Sequence, residues 1–111
     1  MSDAATLIQR QLDAYNAQDL DAYVACYASD VVVAGLNGPV TETGREALRV
    51  RYAKAFATYP ENKARLINRI AVGNTVIDHE DVSRGPGKEQ FEIIAIYTVK
   101  NGLIARVDFA K

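Results

Sequence analysis

The residues best suited to chemistry stand together in "TVIDHEDV", residues 75–82, where the only histidine of the chain, His79, is flanked by Asp78, Glu80 and Asp81. An imidazole beside a carboxylate can take up or release a proton near neutral pH. Asp81, or Asp108 in the closing stretch "LIARVDF", could orient the ring and balance its charge. Arg106 and Tyr97 are donors that could meet an oxygen on which negative charge develops. The competing readings are structural: a half-exposed strand histidine bonded to a neighbour, a wall tyrosine with a satisfied hydroxyl, and an Arg106–Asp108 ion pair that stabilises little. No second histidine and no partner cysteine completes a zinc-type site, so neither a metal nor a cofactor is expected. Cys26 falls among core positions of a helix and is not expected to act as a nucleophile.

Whatever these residues do, a small domain must hold them. The chain has 111 residues, 49% hydrophobic and 24% charged, an ordinary mixture for one globular domain spanning 1–111. A net charge of −1 offers no field to attract a polyanion, so nucleic acid is not an expected partner. A lone cysteine fits a reducing cytoplasm. No apolar run approaches bilayer length, and charges interrupt the N-terminal apolar positions, so neither membrane insertion nor a signal peptide is expected.

Ile8, Leu12 and Tyr15 form one apolar stripe at helical spacing, with Asp3 as a candidate cap. Asp19 can cap a second helix carrying Leu20, Tyr23, Val24 and Tyr27. "DVVVAG" (30–35) suits a strand, and "LNGPVTET" a loop. "TGRE" has the pattern of a capping box led by Thr43. It opens a third helix with Leu48, Tyr52, Ala55 and Phe56 on one side and Arg45, Arg49, Arg51 and Lys54 on the solvated side, stopped by "YP" at 59–60. The period then changes to two. "ARLINRIAV" and "TVIDHEDV" flank a Gly73-Asn74 turn, and "FEIIAIYTV" and "LIARVDF" flank Asn101-Gly102. Helices followed by two hairpins predict an α+β fold.

Two-residue turns fix the pairing. Val72 should face Thr75, and Ile77, His79 and Asp81 should then stand opposite Ile70, Asn68 and Leu66. In the second hairpin, Tyr97 should oppose Arg106, and Ala95 should oppose Asp108. That count puts Ile93, Ala95, Tyr97, Arg106 and Asp108 on one face, and Ile94, Ile96, Val107 and Phe109 on the other. Two water-averse faces need two covers, so the second face is expected to pair with another copy in a homodimer. His79 and Asp81 are expected to point inward, with Asp78 and Glu80 outward.

"LDAYNAQDLDAYVACYASDVVV", "GREALRVRYAKAF", "RIAVGNTVIDHE" and "AIYTVKNGLIARVDF" together resemble the SnoaL-like branch of the nuclear-transport-factor-2-like superfamily, which includes the ketosteroid isomerases. The resemblance covers essentially the whole chain. It implies a cone-shaped fold, with three N-terminal helices packed on a curved antiparallel sheet that encloses a cavity, and it implies frequent dimers. The tyrosine and two aspartates used by ketosteroid isomerases fall on Gln11, Gly35 and Ala95, so that mechanism is not expected. The epoxide hydrolases of the superfamily use an aspartate–arginine–aspartate set. Its counterparts are His79, Asp81 and Asp108, the arginine having become histidine.

The expected activity is therefore cofactor-free acid–base chemistry of isomerase, hydrolase or dehydratase type on a small hydrophobic molecule. His79, Asp108 and Asp81 would be catalytic, with Asn68, Ile93, Ala95, Tyr97 and Arg106 binding the ligand. The alternative is a module of the same fold that binds such a ligand, or dimerises, without catalysis.

Overall fold

The stripe of Ile8 and Leu12 is the buried side of helix α1 (Asp3–Ala17), as its spacing predicts. The structure is a computed structural model that describes residues 3–111. Asp19 caps helix α2 (Leu20–Val24), its carboxylate accepting from the Ala22 amide at 3.1 Å. α2 is shorter than expected. Tyr27 begins strand β1 (Tyr27–Gly35) instead of closing the helix. Strand β2 (Val40–Thr43) occupies part of the expected loop, with Thr43 paired to Val32. Thr43 therefore caps nothing. Gly44, at φ 92°, is the N-cap of helix α3 (Arg45–Thr58), and no side chain caps it. The positive φ lets the chain leave the strand and enter the helix within one residue.

The remaining strands are β3 (Lys63–Val72), β4 (Thr75–Ser83), β5 (Gln90–Lys100) and β6 (Leu103–Ala110). The sheet runs β2-β1-β6-β5-β4-β3, and its single parallel neighbour pair is β1 beside β6. The expected α+β class and helix-on-curved-sheet arrangement are what the fold has. Helix α1 packs on β3 and β4, and α3 on β1 and β2. The Asn16 amide ties α1 to the sheet, donating to the Ala64 carbonyl at 2.9 Å and accepting from its amide at 2.8 Å.

Both turns fall where the sequence predicts. Positive φ occurs at Gly73 alone in the first, and at both Asn101 and Gly102 in the second. Val72 faces Thr75, Ile70 faces Ile77 and Asn68 faces His79. Beyond that point the register shifts at Ile67, so Asp81 lies opposite Arg65 instead of Leu66. In the second hairpin Ala105 is an extra residue between the Val99–Ile104 and Thr98–Arg106 pairs. This bulge moves everything beyond it by one residue. Tyr97 faces Val107, not Arg106, and Ile96, not Ala95, faces Asp108.

The consequence is a change of side. Val107 is buried on the helix-facing side and Phe109 also turns inward, whereas Ile94 and Ile96 face outward. Those four residues do not share a face, so the expected dimer surface does not exist in that form. The helix-facing side of β4 is Val76, Asp78, Glu80 and Val82, all buried. Among the described residues, no helix is long and apolar enough to cross a membrane.

Candidate functional site

β4 turns Asp78 inward with its charge matched. Arg69 lies directly across the hairpin from Asp78. Its guanidinium donates from Nε to Oδ1 at 2.7 Å and from Nη2 to Oδ2 at 2.9 Å. Nη1 donates to the Gln9 side-chain oxygen on α1 at 2.8 Å. A two-pronged pair of this kind lets a carboxylate sit against the helices with none of its side chain exposed.

With Asp78 inside, alternation carries Glu80 inside as well. Glu80 lines a pocket of about 320 Å³ between the helices and the sheet. No hydrogen bond among the described residues ends on its carboxyl group. Its pKa is pushed up from the ordinary 4.5 to about 7, chiefly because burial penalises the ion. The Asp78 charge adds to the rise and Arg69 opposes it. At neutral pH such a group is divided between acid and base, which is what a proton carrier needs.

Tyr97 lines the same pocket and is 2% exposed. Burial holds its hydroxyl well above the usual range, so it stays a donor. On the helix side Gln11 is 4% exposed, and its side-chain oxygen is buried without a hydrogen-bond partner. Tyr23 and Tyr52, with ring centroids 4.7 Å apart, belong to the aromatic wall. Tyr23 is anchored from behind by the Tyr27 hydroxyl at 2.8 Å.

The residues expected at the site divide. Ile93 and Tyr97 line the pocket, and Ala95 is buried on the same side. His79, Asp81, Asn68, Arg106 and Asp108 lie on the outer face and do not line it. His79 pairs with Glu92 at 2.5 Å and Asp81 with Arg65 at 3.3 Å. Arg106 holds Asp108 through Nη2 to Oδ1 at 3.0 Å. Strand β5 runs between His79 and Asp108, and their partners on it, Ile94 and Ile96, are two residues apart, so the two lie about 12 Å from each other. The expected inward placement of His79, Asp81 and Asp108 is thus corrected: β4 turns Val76, Asp78, Glu80 and Val82 inward, and the Ala105 bulge shifts β6 by one residue.

Among the described residues, no three histidine, cysteine or carboxylate side chains are grouped to hold a metal ion. Arg51, assigned to the solvated side of α3, also lines the pocket, beside its partner Glu42. Glu80 and Arg84, which also line the pocket, were not among the expected site residues, and Gln11 entered only as the counterpart of the ketosteroid isomerase tyrosine. A readable signal existed for Glu80: an arginine opposite Asp78 neutralises the residue that would otherwise force that face outward.

A family model for the SnoaL-like domain matches residues 8–107. The chain belongs to the SnoaL-like domain family. A crystal structure of an uncharacterized cystatin-fold protein from Novosphingobium aromaticivorans is 35% identical, with 100% of this chain and 99% of that one covered and a TM-score of 0.91. A provisionally assigned polyketide cyclase from Sinorhizobium meliloti is 23% identical, over 99% and 100% of the two chains, at 0.80. A provisionally assigned ketosteroid isomerase from Kribbella flavida is 19% identical, over 96% and 76%, at 0.82. These last two likenesses show the shared fold. No curated protein matches the chain. Gln11 and Gly35, two of the positions matched to ketosteroid isomerase catalytic groups, line the pocket without those groups.

Proposed function

We propose that this SnoaL-like chain is a small-molecule acid–base enzyme, with Glu80 moving the proton in the pocket. The single observation behind this reading is a carboxyl group raised to about 7, buried in the pocket, with no hydrogen-bond partner among the described residues. In its ionised form Glu80 takes a proton from a carbon next to a carbonyl, or from water. The Tyr97 hydroxyl supplies a hydrogen bond to the oxygen that gains charge. Returning the proton to another carbon gives isomerisation, and giving it to a departing β-hydroxyl gives dehydration. When the proton comes from water, the hydroxide attacks an epoxide carbon, the ring C–O bond breaks and the proton passes to the ring oxygen, which is hydrolysis. All three begin with the same transfer and ask only for side chains, so the reading includes no cofactor. The isomerase and cyclase assignments of proteins with this fold support a small apolar substrate.

The test is an assay panel of enolisable ketones, epoxides and β-hydroxy carbonyl compounds. Wild type should turn over at least one compound, and Glu80→Gln should lower kcat about 10²–10⁴-fold. Ligand binding without turnover in wild type would leave the binding-module alternative standing.

The reading also includes a homodimer formed through the outer face. Ile70, Ile77 and Ile96 stand side by side across three strands there, and Ile94 is 39% exposed. A cytoplasmic location is proposed on the unpaired, buried Cys26.

A further inference from the structure

Arg84, just past the end of β4, lines the pocket but has no ionic partner. None of the ion pairs among the described residues includes it. Its Nη1 donates to the Asn62 side-chain oxygen at 2.9 Å, a neutral partner. Its Nε is buried and has no hydrogen-bond partner. The Tyr59 and Phe91 rings hold the guanidinium from 4.7 and 5.0 Å, which fixes its plane without satisfying that donor. Lys111 lines the same pocket and lies over the Phe91 ring. The other pocket arginine, Arg51, is matched by Glu42, so Arg84 is the guanidinium there left without a carboxylate.

The second unpartnered atom is the Gln11 side-chain oxygen, on the helix side of the same pocket. Asn62 turns from Arg84 to donate to the Tyr15 hydroxyl at 2.7 Å. Gln11 precedes Tyr15 by one helical turn on the same side of α1, about 6 Å away. Arg84 and Gln11 thus line one pocket rich in aromatic rings, and one polar atom of each, Nε and the side-chain oxygen, has no hydrogen-bond partner among the described residues. A guanidinium selects a carboxylate. An amide is satisfied in either orientation by a hydroxyl, which both donates and accepts.

We infer that the pocket takes a small apolar carboxylic acid, its carboxylate held by Arg84 and a hydroxyl further in held by Gln11. The inference rests on the reading that this pocket is the substrate site, and it narrows the substrate to an anionic hydroxy acid or its relatives.

Calorimetric titration of the whole chain with para-hydroxyphenylpropionate, its primary amide and unsubstituted phenylpropionate tests it. Wild type should bind the hydroxy acid about tenfold or more tightly than the amide, as expected for a charge-assisted contact. Arg84→Gln should reduce that preference to near parity, while Arg84→Lys, which keeps the charge, should retain part of it. Gln11→Leu should erase the preference for the hydroxy acid over phenylpropionate and leave the acid-over-amide preference intact. Circular dichroism checks that each variant is folded. An affinity for the acid no greater than for the amide in wild type, including no binding of either, overturns the inference. If neutral ketones are turned over in a Glu80-dependent way while the acid gains nothing, this inference fails and the catalytic reading stands. If the acid binds through Arg84 and no compound reacts, the inference stands and the catalytic reading fails.

Discussion

Arg69 grips Asp78 through two hydrogen bonds of 2.7 and 2.9 Å on the side of the sheet that faces the helices. That pairing matches the inward Asp78 charge on the face that also buries Val76 and Val82, the face from which Glu80, not His79, reaches the pocket. A buried pair is weak evidence for stability, but breaking one half leaves a charge with no compensation. Asp78→Ala should therefore destabilise the fold by about 3–5 kcal/mol in urea unfolding. The double change Asp78→Leu with Arg69→Met should cost less than either single change. A double change that costs the sum of the two would show that the pair is not coupled.

Glu80 links stability to pH. The folded chain holds its proton more tightly than the unfolded chain, since its pKa rises from 4.5 to about 7 on folding. Its contribution is full below about pH 4.5 and declines as pH rises toward 7. Above pH 7 the ion is buried at a cost, and Glu80→Gln should be more stable than wild type by up to about 3 kcal/mol. Below pH 4.5 that advantage should vanish. Thermal unfolding of both proteins across this range checks it, and parallel stability curves would contradict it.

His79 and Asp108 lie on the outer face, apart from each other and from the pocket. His79→Ala and Asp108→Asn should leave turnover of any substrate found by the assay panel unchanged. His79→Ala should alter stability by no more than about 0.5 kcal/mol. A large loss of kcat in either variant, with the fold intact, would restore the pair to the mechanism.

If two copies pair through the outer face, a charge placed in its isoleucine row should separate them. Ile77→Lys should convert a dimer to a monomer in size-exclusion chromatography with light scattering, and should remove the concentration dependence of Tm. A wild-type monomer at every concentration would contradict this arrangement.

Much of the fold was legible because its signals were local. Ile8 and Leu12, the Asp19 cap, the stop at Tyr59-Pro60 and both hairpin turns each follow from residues a few positions apart. Strand β2 and the parallel pairing of β1 with β6 were not legible, since the largely β-branched run of Val40–Thr43 is only four residues long and has one apolar side chain, and strand order depends on contacts far apart in the chain. The site failed at two points. Ala105 is an unremarkable residue, and nothing in its type announces that it will be skipped in the β5–β6 ladder. On β4, the strand count and the epoxide hydrolase counterparts put His79 and Asp81 inward, and alternation then turned Asp78 and Glu80 outward. The hairpin count already placed Arg69 opposite Asp78, and that pairing is what makes an inward carboxylate affordable.

The account depends most on the state of one carboxyl group, and a side-chain carboxyl NMR titration of the free protein reads it without any substrate. Glu80 should titrate near pH 7, well above the ordinary glutamate value of 4.5. A Glu80 midpoint among the ordinary glutamates would mean that the pocket does not hold its proton, and the acid–base role assigned to it would be wrong.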